Sequence, residues 1–98
     1  MSPAPGRSAW AEVVARHRDI PAQTRFIGLL LSTEIYQATG RLTVNAKTIA
    51  RRADCQPGKV LDAVRELERM GLLTDTRTTD IRGRWVFRVR IPELAQAA

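Results

Sequence analysis

Between Leu42 and Leu73 the chain reads LTVNAKTIARRADCQPGKVLDAVRELERMGLL, and no other stretch restricts the possible folds as tightly. Asn45 is a good N-cap, because its side-chain oxygen can accept from a free backbone N–H one turn into a helix, and Val44 before it is placed to pack on Ile49. Ile49, Ala50 and Ala53 give that helix a narrow apolar face. A turn at Asp54, Cys55 and Gln56 ends it, with Asp54 where a left-handed backbone is needed, a conformation Asp tolerates better than most residues. Pro57 opens a second helix, where its missing N–H does no harm. Val60, Leu61, Val64 and Leu67 then form one stripe, and Gly71 stops the helix so that Leu72 can fold back onto Leu67.

Two short helices joined by three or four residues make the helix-turn-helix pattern. The run TIARRADCQPGKVLDAVRELERMGLL resembles the core of winged helix-turn-helix DNA-binding proteins. In those proteins a helix with an Ile-Ala pair leads to a recognition helix ending in Leu-Glu-x-x-Gly-Leu-hydrophobic; Ile49, Ala50, Leu67, Glu68, Gly71, Leu72 and Leu73 supply these positions here. The resemblance spans residues 24–91. It implies an α+β fold, a winged helix-turn-helix of three to four helices plus a small antiparallel sheet with a β-hairpin wing, and it implies the fold more firmly than the target. The upstream spacing is also similar to the N-terminal modules of GntR-type regulators and of phage or plasmid replication proteins, and the motif does not choose among these groups.

Charge points the same way. Lys and Arg number 16 against 10 Asp and Glu, a formal net charge of +6, so a polyanion is the first electrostatic expectation for a partner. Twelve basic and seven acidic side chains lie from Arg41 onward, four and three before it, which places the excess in the helix-turn-helix half. The single cysteine excludes an internal disulfide and a cysteine-based zinc site. No apolar run approaches the length of a membrane span and no signal-peptide core follows Met1, so a soluble, cytoplasmic and nucleoid-associated protein is expected.

Taken in order, residues 1–7 hold two prolines and a glycine without periodicity and read as a loose tail, residues 8–91 as one domain, and residues 92–98 as a frayed C-terminal tail. Ser8 is expected to cap a first helix with Trp10, Val13, Val14 and His17 on one stripe and Glu12 paired with Arg16. His17 reads as a half-buried, hydrogen-bonded packing residue in preference to a ligand or catalytic base. A longer helix is expected from Pro21 or Thr24 to Gly40. Its apolar residues, from Phe26 to Tyr36, cover most of the circumference, so it should be the central core helix, or turn part of its surface, with Trp10, toward a second copy of the chain. Trp10, Val13 and Val14 are the expected interface of a two-fold homodimer that would set two recognition helices about one DNA turn apart.

Arg41 to Val44 reads as a short strand. Leu73 to Thr79, the polar turn Asp80-Ile81-Arg82-Gly83 and the alternating run Arg84 to Ile91 read as a hairpin. Trp85, Phe87, Val89 and Ile91 are expected to face the helices, with Arg84, Arg88 and Arg90 on the other side. A basic strand face is often simple solvation or edge protection. The basic turn at Arg82 and Arg84 favours a wing that touches DNA.

For recognition, Gln56 and Lys59 at the start of the second helix (about residues 57–70) are the expected base contacts, Gln suiting adenine and Lys guanine. Asp62 either accepts from a cytosine amino group or pairs within the helix with Arg65 or Arg69, and the pairing is favoured. Phosphate contacts are expected from Lys47, Thr48, Arg51, Arg52, Arg65 and Arg69, and from Arg82, Arg84 and Arg88 on the wing (about residues 77–90). The chain shows no Gly-rich phosphate loop and no HExxH, so neither catalysis nor a metal or cofactor is expected. Cys55 reads as a packing thiol in preference to a redox sensor, and no small-molecule effector is expected, since little sequence follows the wing. The function expected is that of a small transcriptional regulator that binds double-stranded DNA. The alternatives are a replication or partition accessory protein of a mobile element, and a winged helix that binds protein without DNA affinity.

Overall fold

The apolar run from Phe26 to Tyr36 is not a single helix. A computed structural model describes residues 6–92, and in it helix α2 (Ala22–Ser32) ends well before Gly40. Two hydroxyls tighten its last turn. Ser32 Oγ donates to the Leu29 carbonyl at 2.5 Å and Thr33 Oγ1 to the Leu30 carbonyl at 2.7 Å, while the N–H groups of Thr33 and Glu34 close tight i→i−3 bonds. Ile35 and Tyr36, one β-branched and one aromatic, then form strand β1 (Ile35–Tyr36). A turn closed by the Gly40 N–H on the Tyr36 carbonyl leads to β2 (Arg41–Thr43).

Helix α1 (Arg7–Arg16) starts one residue before Ser8, which makes no capping bond; Gly6 holds the N-cap position. The Arg7 guanidinium donates to the Ile35 carbonyl at 2.8 Å, so Arg7 belongs to the domain and not to a tail. Met1–Pro5 and residues 93–98 lie outside the described residues, and with them the expectations of a loose N-terminal and a frayed C-terminal tail. Glu12 and Arg16 form the expected surface pair at 2.7 Å. His17 is half-buried at the end of α1, where its Nδ1 accepts from the Asp19 N–H and the Arg25 guanidinium holds its carbonyl.

The helix pair follows the sequence closely. Asn45 accepts from the Thr48 N–H at 3.2 Å to cap α3 (Ala46–Ala53), and Asp54 takes the left-handed conformation at φ 55°. Pro57 stands in the first turn of α4 (Pro57–Arg69). At the other end Gly71, at φ 82°, donates to the Glu68 carbonyl while the Leu72 N–H reaches the Leu67 carbonyl, the double bond pattern of a Schellman cap. Cys55 is half-buried and packs against the core.

Strands β3 (Leu73–Thr79) and β4 (Trp85–Val89) complete an antiparallel sheet in the order β1-β2-β4-β3. The fold is α+β. Leu42 on β2 lies opposite Phe87 on β4, and with Ile27, Ile49, Val64 and Leu67 of the helices they belong to one continuous core. Helices α1, α2 and α4 approach so closely that a Cβ added to Gly28 would meet Val14 Cγ1 at 2.9 Å.

Strict alternation along β4 fails at its first two residues. Trp85 is 39% exposed and Val86 is buried although it points to the outer face. A register irregularity between Asp75 and Thr78, with Arg77 at φ 58°, brings Thr76 Oγ1 onto the Val86 carbonyl and twists the hairpin there.

Candidate nucleic-acid interface

Trp10 and Val14 are wholly enclosed, and the Trp10 indole N–H donates to the Leu72 carbonyl at 2.9 Å. These two residues therefore do not form a dimer surface; the stripe was apolar because α2 and the junction after α4 cover it. Val13 is half-buried against the same core. The large apolar side chains left exposed are Phe26, Tyr36, Ile81 and Trp85.

Around α4 the expected contacts divide into two sets. Gln56, Lys59 and Asp62 are exposed on its first turns. Asp62 pairs with neither Arg65 nor Arg69, contrary to the favoured expectation. Arg65 instead bonds Glu68 at 2.8 Å and Asp75 on β3 at 3.3 Å, while Arg69 is paired with Glu66 at 2.5 Å. The i,i+3 spacing brings these carboxylates round to the arginines, and the Asp75 contact and the Trp85 ring, 4.6 Å from the Arg65 guanidinium, hold Arg65 against the hairpin. Hydrogen bonds, to Glu68 for Arg65 and to Glu66 for Arg69, raise both guanidinium pKa values further. The backbone N–H of Arg77, with lesser help from Arg65, holds the Asp75 carboxyl below its ordinary value.

On α3, Lys47 and Arg51 are exposed without a side-chain partner among the described residues, whereas Arg52 donates to Thr33 Oγ1 at 2.9 Å and lies 3.6 Å from Glu34. Thr48 is half-buried, its backbone N–H held by the Asn45 cap.

At the hairpin turn Asp80 organises the backbone. Its carboxylate accepts from the N–H groups of Arg82 and Arg84, both at 2.9 Å, and from Arg84 Nε at 2.8 Å. Those bonds, the Arg84 amide first, hold its pKa below the usual carboxylate range. Arg84 is thus a structural member of the turn. Arg82 is exposed, its guanidinium without a partner among the described residues, and Ile81 beside it is fully exposed. A groove of about 280 Å³ between α4 and the turn is lined by Val44, Leu61, Gly83, Arg84 and Trp85, so the turn lies beside the first half of α4 and the start of α3.

Arg88 is exposed but points to the sheet face away from the helices, so it cannot share a surface with α4. The sequence motifs do not reveal two exposed cations, Arg77, which takes a left-handed backbone at the irregularity in β3, and Arg41. Arg77 gave no signal in an isolated threonine-rich strand, while Arg41 was visible as part of a predicted strand. Among the described residues no three His, Cys, Asp or Glu side chains come together as a metal site, and no helix is long and apolar enough to cross a membrane.

The partly exposed ion pairs of Arg52, Arg65, Arg69 and Arg84 hold little energy each, but a phosphate must compete with a carboxylate at every one of them. Among the described residues Lys47, Arg51, Lys59 and Arg82 meet no such competition, and these four with Gln56 and Asp62 make up the candidate interface. Comparison with protein-family models, with curated proteins and with solved structures finds no match for the chain.

Proposed function

We propose that the chain is a winged helix-turn-helix protein that binds double-stranded DNA, with α4 as the recognition helix, the β3–β4 hairpin as the wing, and a role as a small transcriptional regulator. Four helices and a four-stranded antiparallel sheet, with α3 and α4 joined by a short turn and α4 running into a hairpin, are compatible with that family. One observation carries the reading. Among the described residues, cations without acidic partners stand on α3, in the first turn of α4 and at the hairpin turn, and the groove brings that turn beside α4 and the start of α3. Gln56 and Lys59 stand at the N-terminal end of α4, the end that enters the major groove in such proteins.

A titration with duplex DNA at varied salt tests this. Neutralising about 4 to 6 phosphates gives log affinity falling against log salt with a slope of roughly −4 to −5. A slope near zero removes duplex DNA as the main partner.

A further inference from the structure

The sheet face that turns away from the helices carries one row of side chains contributed by all four strands. Tyr36, Arg41, Arg88 and Thr74 lie side by side in that order. All four are exposed, Tyr36 at 65%, and Arg90 continues the same face two residues beyond Arg88. Directly opposed residues have Cβ atoms about 5 Å apart, and like charges so placed destabilise a sheet. Yet Arg41 and Arg88 are direct partners, and neither guanidinium has an acid or hydrogen-bond acceptor among the described residues. The common reason for basic residues on a strand is to guard an open edge. That reason fails here, because β2 and β4 are the two inner strands.

We propose that this outer sheet face binds single-stranded nucleic acid, with Arg41, Arg88 and Arg90 on backbone phosphates and Tyr36 as a stacking platform for a base. Phosphates relieve the repulsion between the two opposed guanidinium groups, whose planar donors suit phosphate oxygens. An exposed ring on a sheet surface is available to an unstacked base, which a single strand has and an intact duplex does not. An acidic peptide would satisfy the arginines and leave Tyr36 without a role. The proposal does not rest on duplex recognition, since Lys59 and this row lie on opposite sides of the sheet.

The test is fluorescence anisotropy with the full chain and three probes: a labelled mixed-sequence single strand of about 12 nucleotides, the matching duplex, and a glutamate-rich peptide. The expected result is that Arg41→Ala with Arg88→Ala weakens single-strand binding by about tenfold or more. Tyr36→Ala is expected to weaken it about fivefold or more while Tyr36→Phe keeps it. Lys59→Ala leaves single-strand binding unchanged. All the substituted residues are exposed, and circular dichroism melting checks that each variant folds. No binding of the single strand at about 100 μM protein, or equal binding by the Arg41/Arg88 double variant, overturns the proposal. Displacement of the strand by an equal concentration of the glutamate-rich peptide overturns it in favour of an acidic protein partner. Loss of duplex affinity in Lys59→Ala beside intact single-strand binding supports two separate surfaces, whereas absent duplex binding in the wild type with the single-strand pattern intact sinks only the duplex reading.

Discussion

Lys59 and Gln56 are exposed at the start of α4 with no hydrogen-bond or ion-pair partner for their side chains among the described residues, so under the duplex reading proposed above their substitution removes only the contacts that reading assigns them. Lys59→Ala or Gln56→Ala is expected to cost about 1 to 3 kcal/mol on the preferred site and much less on random duplex. Selection of bound fragments followed by competition with random DNA measures both, and equal losses would make these residues phosphate contacts. Asp80 gives a pH dependence. Its folded pKa lies below the unfolded value because the Arg84 and Arg82 amides favour the carboxylate. The turn is therefore stabilised above the unfolded pKa, and that contribution is lost as pH falls below about 4 and through the folded value. Protection of the Arg82 and Arg84 amides, measured against their intrinsic exchange rates at each pH, should fall in that acid window, and Asp80→Ala should abolish the protection at neutral pH; protection unchanged by Asp80→Ala would contradict it. Single-residue roles were legible where the cause was local, as at Asn45, Asp54 and Gly71. They were not legible for ion pairs: Asp62, Glu66 and Glu68 all offered plausible spacing to Arg65 or Arg69, and β3 then added Asp75.

At the scale of elements, the helix pair and the hairpin were readable because capping, left-handed turn residues and apolar spacing all agree within a few positions. The end of helix α2 is not legible, for the opposite reason. Its Phe26–Tyr36 run has helical and β-forming residues in sequence, and the switch at Ser32 depends on β1 finding β2 across the Gly40 turn, a pairing of two residues on each side. Helix α1 is legible to within a residue of its start, but an apolar stripe states which face is covered and not by what: Trp10 is covered by α2 and the Leu72 junction and not by a second copy. The Schellman cap of α4 gives a stability test. Gly71→Ala puts a Cβ on a residue at φ 82°, a conformation costing an L-residue roughly 1 to 2 kcal/mol, and brings it to 3.3 Å from Pro92 Cγ. Urea unfolding should show at least that loss with an unchanged slope, and an unaltered midpoint would mean that the junction relaxes at no cost.

For the molecule as a whole, enclosure of Trp10 and Val14 leaves the charged faces and scattered apolar side chains as its outside. Sedimentation equilibrium of the free protein is expected to give 11.0 kDa with no concentration dependence. A mass near twice that value would show that another surface, with Phe26 the first to examine, associates. The Leu72 carbonyl accepts both the Trp10 indole N–H and the Arg90 backbone N–H, each at 2.9 Å, and Pro92 packs beside Gly71. The beginning of α1 and the last described residues are thus gathered at the C-terminal end of α4. A helix of 13 residues is about 20 Å long, and that length separates this junction from Gln56 and Lys59. A dye carried on a described residue at that pole, Pro92 for one, therefore sits about one helix length from the end of α4 proposed to read DNA, and reports on the junction without standing in that surface.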